Sequence, residues 1–219
     1  MPISEYILND IELQPITQTV GNLKKMFDEL TASHIQVGKD GIYLGCVSEN
    51  DIRCFDSDKT LEEYQYAISP FYTHPTLPLL DILKSFATNH TNIIPVLEDN
   101  TNDYLGYLEL NDVISLLNEA PFFNEEGNII IVEKEINNFS FSEIAQIVES
   151  NQSKIFGFYI SYSTENIVQI TIKTGFIHLN EILQTFRRYE YKIISEHQED
   201  SFLQDLQERS AYLNKYLNI

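Results

Sequence analysis

The sequence predicts an α+β protein built as two successive units, and three observations carry that expectation. A stretch of about forty residues recurs once in order, helical and strand-like apolar spacing alternate within each copy, and the pattern changes character near Pro121. With 219 residues the chain is long enough for two small domains, each with its own core.

The repeat is read from Pro15 to Phe55 and again from His74 to Leu116. Thr17 aligns with Thr76, Val20 with Leu79, Leu23 with Ile82, Phe27 with Phe86 and Val37 with Val96, all at an offset of 59. After a two-residue insertion, Gly45 aligns with Gly106 and Asp51 with Asp112 at an offset of 61. Within each copy, apolar residues first recur at helical spacing, as in Val20, Leu23, Met26, Phe27 and Leu30. A short apolar strand follows (IQV or IIPV), then a turn rich in Gly, Asp and Asn, then a second strand (YLGCVS or YLGYLE). A helix opens near Ser48 or Glu109, and Ser48 with Asp51 has the character of an N-cap. The order in each copy is strand, helix, strand, strand, helix.

That order, with T-V before the first helix, G-x-V/L on the second strand and D-I/V opening the last helix, resembles the CBS domain family over residues 1–120, repeat 1 spanning about 1–60 and repeat 2 about 61–120. The resemblance implies two repeats paired through their sheets, with two related clefts that commonly hold an adenine nucleotide. In the family a Gly-x-x-Ser/Thr-x-x-Asp motif sets its Asp on ribose hydroxyls and its hydroxyl near phosphate. Here Gly45, Ser48 and Asp51 keep that motif, and by resemblance Thr17, His34, Ile35 and Val37 supply the adjoining wall. In the second repeat Thr76 and Asp112 hold the matching positions, but Glu109 replaces the hydroxyl, and a carboxylate there repels phosphate. A turn glycine followed by a helix cap spells the same motif, so the residues alone leave both readings open.

PFFNEEG reads as a linker over residues 121–127. Beyond it, NIIIVEK predicts a strand, EIAQIVESN a helix, 154–162 and 167–173 two strands around a Ser-Thr-Glu-Asn turn, 179–189 a helix and 191–195 a last strand. This is the split βαβ, ferredoxin-like order βαββαβ over residues 128–199. Following a CBS pair, it resembles an ACT domain, and the whole is similar to CBS–ACT proteins of the acetoin-utilisation regulator type. The resemblance implies an amino-acid site near the first strand–helix loop, Ile136 to Ser140, which lacks the usual glycine. Residues 200–219 predict a terminal helix with Phe202, Leu203, Leu206, Leu213, Tyr216 and Leu217 as its apolar residues, docked on the sheet or across a dimer.

Composition narrows the function classes. The net charge of −19 repels nucleic-acid phosphates, which argues against a nucleic-acid partner. No run approaches the roughly 20 apolar residues of a membrane span, and the N-terminus has no leader pattern, so a cytoplasmic location is expected. Cys46 and Cys54 are too few for a disulfide scaffold or zinc site and are expected as partly buried thiols. Five scattered histidines and the lack of a nucleophile elbow or Walker loop predict neither catalytic nor metal-ligating residues and no resident cofactor. The expectation is a non-enzymatic regulatory protein taking AMP, ADP, ATP or S-adenosylmethionine and acting on a further protein. By family resemblance it is a homodimer through the CBS helices. A ligand-free interaction module, with Phe122 and Phe123 as contact candidates, and an amino-acid sensor are the alternatives.

Overall fold

The computed structural model describes residues 3–197 and 200–217, which divide into two compact units, 1–119 and 120–219. In the first unit the strands and helices are β1 (Gln14–Pro15), α1 (Val20–Glu29), β2 (His34–Lys39), β3 (Ile42–Ser48), α2 (Glu49–Cys54), α3 (Leu79–Asn89), β4 (Ile93–Leu97), β5 (Tyr104–Glu109) and α4 (Leu110–Asn118). Short 3-10 turns lie at Ile3–Tyr6 and Leu61–Ala67. Helix α1 forms where Val20, Leu23 and Phe27 fall on one face, and all three are buried in the first repeat's core. Ile82 and Phe86 do the same for α3, which ends where His90 turns left-handed. The β2–β3 and β4–β5 hairpins are antiparallel, and each carries an irregularity at the same repeat position, Val37/Gly38 and Val96/Leu97.

The two repeats are interlocked by exchanging their leading segments. Ile3 sits in the second repeat's core beside Ile82 and Phe86, while Leu61 is fully buried in the first repeat's core with Val20, Leu23 and Ile52. Each leader then adds a two-bond bridge to the hairpin it covers. Cys46 and Ser69 exchange backbone bonds of 2.9 and 2.8 Å, and Leu8 and Tyr107 exchange bonds of 2.9 and 2.8 Å. Gly45 and Gly106 permit these close approaches. Their φ angles are 155° and 142°, and a Cβ would lie 2.8 Å from the Ser69 carbonyl oxygen or 2.1 Å from that of Leu8.

Equivalent residues also meet across the pair. The Ser33 N–H donates to Asn92 Oδ1 at 2.7 Å, and the Asn92 N–H donates to Ser33 Oγ at 3.0 Å. Tyr43 stacks on Tyr104 at 6.4 Å with planes 8° apart. Ile11, Ala32, Ile93 and Tyr107 make a separate small core. Burying a leader side chain such as Leu61 contributes about 1.5–3 kcal/mol, so neither repeat is complete without the other's leader.

The second unit opens with a one-turn helix, α5 (Pro121–Asn124), inside the stretch expected as a linker. Pro121 starts it with a preset φ, and Phe122 seats its ring against Gly157 and edge-on to Tyr159 at 5.7 Å. Phe122 is thus docked on its own unit. Then follow β6 (Asn128–Glu135), α6 (Phe141–Ser150), β7 (Ile155–Ser163), β8 (Ile167–Thr174), α7 (Leu179–Arg188) and β9 (Lys192–Ile193). The sheet order is β7-β8-β6-β9 with every neighbour antiparallel, which is the split βαβ topology. Ile144, Ile147 and Val148 of α6 and Ile182, Leu183 and Phe186 of α7 cover one face over Ile130, Val132, Ile170 and Ile172. Lys134 reaches Glu143 at 2.8 Å and lies over the Tyr191 ring at 4.2 Å.

Helix α8 (Ser201–Leu217) closes the chain. Leu206, Tyr212, Leu213, Tyr216 and Leu217 are exposed in the single chain, so these five do not dock on the sheet there, whereas the side chains of Phe202 and Leu203 and residues 218–219 lie outside the described residues. Among the described residues no helix is long and apolar enough to cross a membrane. Cys46 is buried, and its thiol pKa is pushed up to about 12 by burial, but Cys54 is exposed, so only one of the two thiols is shielded as expected.

Candidate functional site

The end of β3, the start of α2 and the start of β2 place Ser48, Asp51 and His34 of the expected site residues together. Ser48 is the last residue of the strand and caps the helix: its Oγ accepts the Asp51 N–H at 3.1 Å and donates to the Asp51 carboxylate at 2.6 Å. Directly across the ladder stands His34, paired in register with Ser48. Its Nδ1 lies 2.9 Å from Ser33 Oγ and its ring meets Phe71 edge-on at 5.4 Å. Burial lowers the His34 pKa, and the nearby Asp51 carboxylate offsets part of that effect. The imidazole is therefore neutral at physiological pH.

These groups mark the first cleft: an imidazole with a phenyl ring edge-on to it, beside a hydroxyl and a carboxylate. Phe71 was not foreseen. It lies between the repeats, and the offset of 61 that matches the glycines pairs it with Asp10, a correspondence the aligned motifs did not reach. Gly45 serves the leader, not the cleft, since Ile68 and Ser69 occupy the space its missing side chain leaves. Arg53 donates to Glu49 and Asp28, each at 2.8 Å, and is held as an ion pair on the surface.

Ile35 and Val37 do not present side chains to the cleft. Both are fully buried in the first repeat's core, because strand alternation sends odd positions inward and leaves His34 and Gln36 on the other face. Gln36 is itself fully buried, and among the described residues its amide has no hydrogen-bond partner. Thr17 is exposed in the turn before α1, where the Gln18 N–H donates to the Pro15 carbonyl. Thr76 donates its hydroxyl to Asp99 at 2.9 Å, beside His74, whose Nδ1 bonds the Leu97 carbonyl at 3.0 Å. Neither threonine joins the Ser48–Asp51 pair in any hydrogen bond among the described residues.

The second cleft has the same backbone and opposite chemistry. Ile93 takes the place of His34 and pairs in register with Glu109, which caps α4 without a side-chain bond. Tyr107 donates to Asp10 at 2.8 Å. Its pKa is raised above the ordinary phenol value first by burial and then by the Asp10 bond, with the Glu109 and Asp112 charges adding to it.

Comparison with known proteins gives the CBS domain as the family whose model matches residues 65–119. No curated protein matches the chain. Among solved structures, a CBS domain pair/ACT domain protein from Thermotoga maritima is 20% identical, with 55% of this chain and 98% of that chain covered and a TM-score of 0.49. The CBS domains of a transcriptional regulator from Streptococcus pneumoniae are 15% identical over 52% and 98% of the two chains, with a TM-score of 0.46. CBSX2 in complex with AMP is 12% identical over 54% and 96%, with a TM-score of 0.44. The CBS likeness thus rests directly on the second repeat and extends to the first through the ordered alignment of the two.

Proposed function

We propose that the first unit is a regulatory module that takes one adenine nucleotide or adenosyl compound (AMP, ADP, ATP or S-adenosylmethionine) in the first cleft. The convergence of His34, Phe71, Ser48 and Asp51 carries this reading. A purine packs against the His34 and Phe71 rings, the Asp51 carboxylate accepts from a ribose diol, and the Ser48 hydroxyl turns toward phosphate. Occupation favours one geometry of the interlocked pair and so alters a protein partner. In this reading the module is a homodimer through its helices and works in the cytoplasm. The split βαβ topology of the second unit supports assigning it as ACT-like, in the manner of the acetoin-utilisation regulators.

The test is a thermal-shift series with AMP, ADP, ATP, S-adenosylmethionine and the common amino acids, since a ligand that binds only the folded state raises the Tm by mass action. One adenine compound shifts the wild type and fails to shift Asp51→Ala. An equal response from both proteins removes the assigned site. A shift by an amino acid alone moves the ligand to the second unit.

A ligand-free interaction module is the second reading. It is favoured by the Ser48–Asp51 pair satisfying itself and by Glu109 standing where the second repeat would need a hydroxyl. It predicts no shift with any compound.

A further inference from the structure

A second cavity in the first unit has a chemistry of its own. It measures about 590 Å³ and opens where the β2–β3 and β4–β5 hairpin ends meet the inter-repeat segment. Its lining joins apolar Ile42, Leu44, Pro70, Tyr72 and Leu97 to the polar turn Thr101–Asp103. Ile42 and Asp103 are equivalent positions in the two repeats, at the offset of 61. The Tyr43–Tyr104 stack, also an equivalent pair, lies beside them. The repeat symmetry that builds the cavity is broken in its lining, apolar at Ile42 and acidic at Asp103.

Three features specify an occupant. Ile42 and Tyr72 are 68% and 44% exposed and line the same cavity, so with Leu44 they offer an occupant an apolar surface. Tyr72 stands edge-on to Tyr43 at 6.3 Å and to His74 at 5.2 Å, which fixes an aromatic ring at the cavity wall. Asp103 is the one charged residue among the described lining, and its carboxylate joins no ion pair among the described residues. Burial drives the Tyr43 and Tyr104 pKa values far above the physiological range, so their phenols stay neutral and leave the carboxylate as the cavity's sole charge. The chain's net charge of −19 adds a field that draws cations and repels anions.

We propose that this cavity binds a small amphipathic monocation, an arylalkyl or alkyl ammonium, with its apolar body against Ile42, Leu44 and Tyr72 and its ammonium between Tyr72 and Asp103. A carboxylate and an aromatic ring lining one partly apolar cavity are the groups that hold an organic cation. The site is separate from the first cleft, because Leu44 and Ser48 are four residues apart on one extended strand, about 13 Å.

The test titrates the full chain by calorimetry with 2-phenylethylammonium, its neutral analogue 2-phenylethanol and the anion phenylacetate. The ammonium binds about tenfold more tightly than the alcohol, and phenylacetate does not bind. Asp103→Asn brings the ammonium down to the affinity of the alcohol and leaves the alcohol unchanged, while Tyr72→Ala weakens both. Asp103 is exposed, so its variant keeps the fold, which circular dichroism checks. Equal affinity for ammonium and alcohol, ammonium binding that survives Asp103→Asn, or no binding of any of the three overturns the proposal.

Discussion

The first and second clefts of the N-terminal unit share a hairpin, a helix start and a close-packed glycine, yet they present opposite surfaces. At the first, the strand ends in Ser48, whose hydroxyl and the Asp51 carboxylate lie beside a neutral imidazole and a phenyl ring. At the second, Glu109 stands at the hydroxyl's position without a side-chain bond, Tyr107 donates to Asp10, and Ile93 stands where His34 would be. The leader segments make much of the difference: Phe71 arrives from one and Asp10 from the other at matching positions. A duplicated fold therefore fixes where a cleft lies, and a few side chains, some delivered by the partner repeat's leader, fix what it accepts.

The largest effect belongs to the shared glycines. Gly106→Ala forces a Cβ to 2.1 Å from the Leu8 carbonyl oxygen, a backbone atom that cannot swing away, and is expected to destabilise the protein by about 3–4 kcal/mol. Gly45→Ala meets the Ile68 side chain at 2.6 Å and the Ser69 carbonyl oxygen at 2.8 Å, and costs about 2–3 kcal/mol. Urea unfolding ranks the two, and equal midpoints would mean that the leaders are not held as described.

The burial of Gln36 offers the next effect. Its position in the second repeat holds Pro95, which leaves no amide to satisfy. Gln36→Met keeps the volume, removes an unpaired buried amide, and is expected to stabilise the protein by about 1–2 kcal/mol. A loss of stability on that exchange would show that the amide has a partner in solution.

Glu109→Ser gives α4 the cap that α2 already has and is expected to add about 1 kcal/mol in the same assay. No gain would mean that the α4 terminus is satisfied by other means.

The smallest effect is a pH slope. His34 has its pKa lowered in the folded state, so the unfolded chain takes up a proton first as pH falls. Stability is constant above about 6.5 and declines as pH drops from there toward the lowered folded value. Replacing His34 by Gln removes its share of that decline, whereas Ile93 gives the second cleft no counterpart. His197, also lowered mainly by burial, contributes a slope of the same sign in the second unit. An unchanged slope in the His34 variant would place the proton uptake elsewhere.

Most of the element order was legible in the sequence because apolar spacing changes from helical to strand-like, as Val20, Leu23 and Phe27 show, but the strand expected to open the second repeat is only a single bridge, Thr73 to Val96. The cap at Ser48 and the register that brings His34 to it follow from local rules. The leader exchange was not legible. Ile3 and Leu61 carry no mark of which repeat they complete, since burial in a distant core depends on chain path and not on local pattern. Phe71 was missed for the same reason. Ile35 and Val37 were assigned to the cleft wall by family resemblance, and strand alternation places their side chains in the core instead. The helix over Pro121–Asn124 was read as linker because one turn is too short to show a period.

The central claim is that the two clefts differ in what they accept. It is tested most directly by titrating the wild type, Asp51→Ala and Asp112→Ala calorimetrically with AMP, ATP and S-adenosylmethionine. The account predicts one site per chain for at least one of these ligands, lost in Asp51→Ala and retained in Asp112→Ala. Two equal sites, or a single site lost in Asp112→Ala and kept in Asp51→Ala, would contradict it.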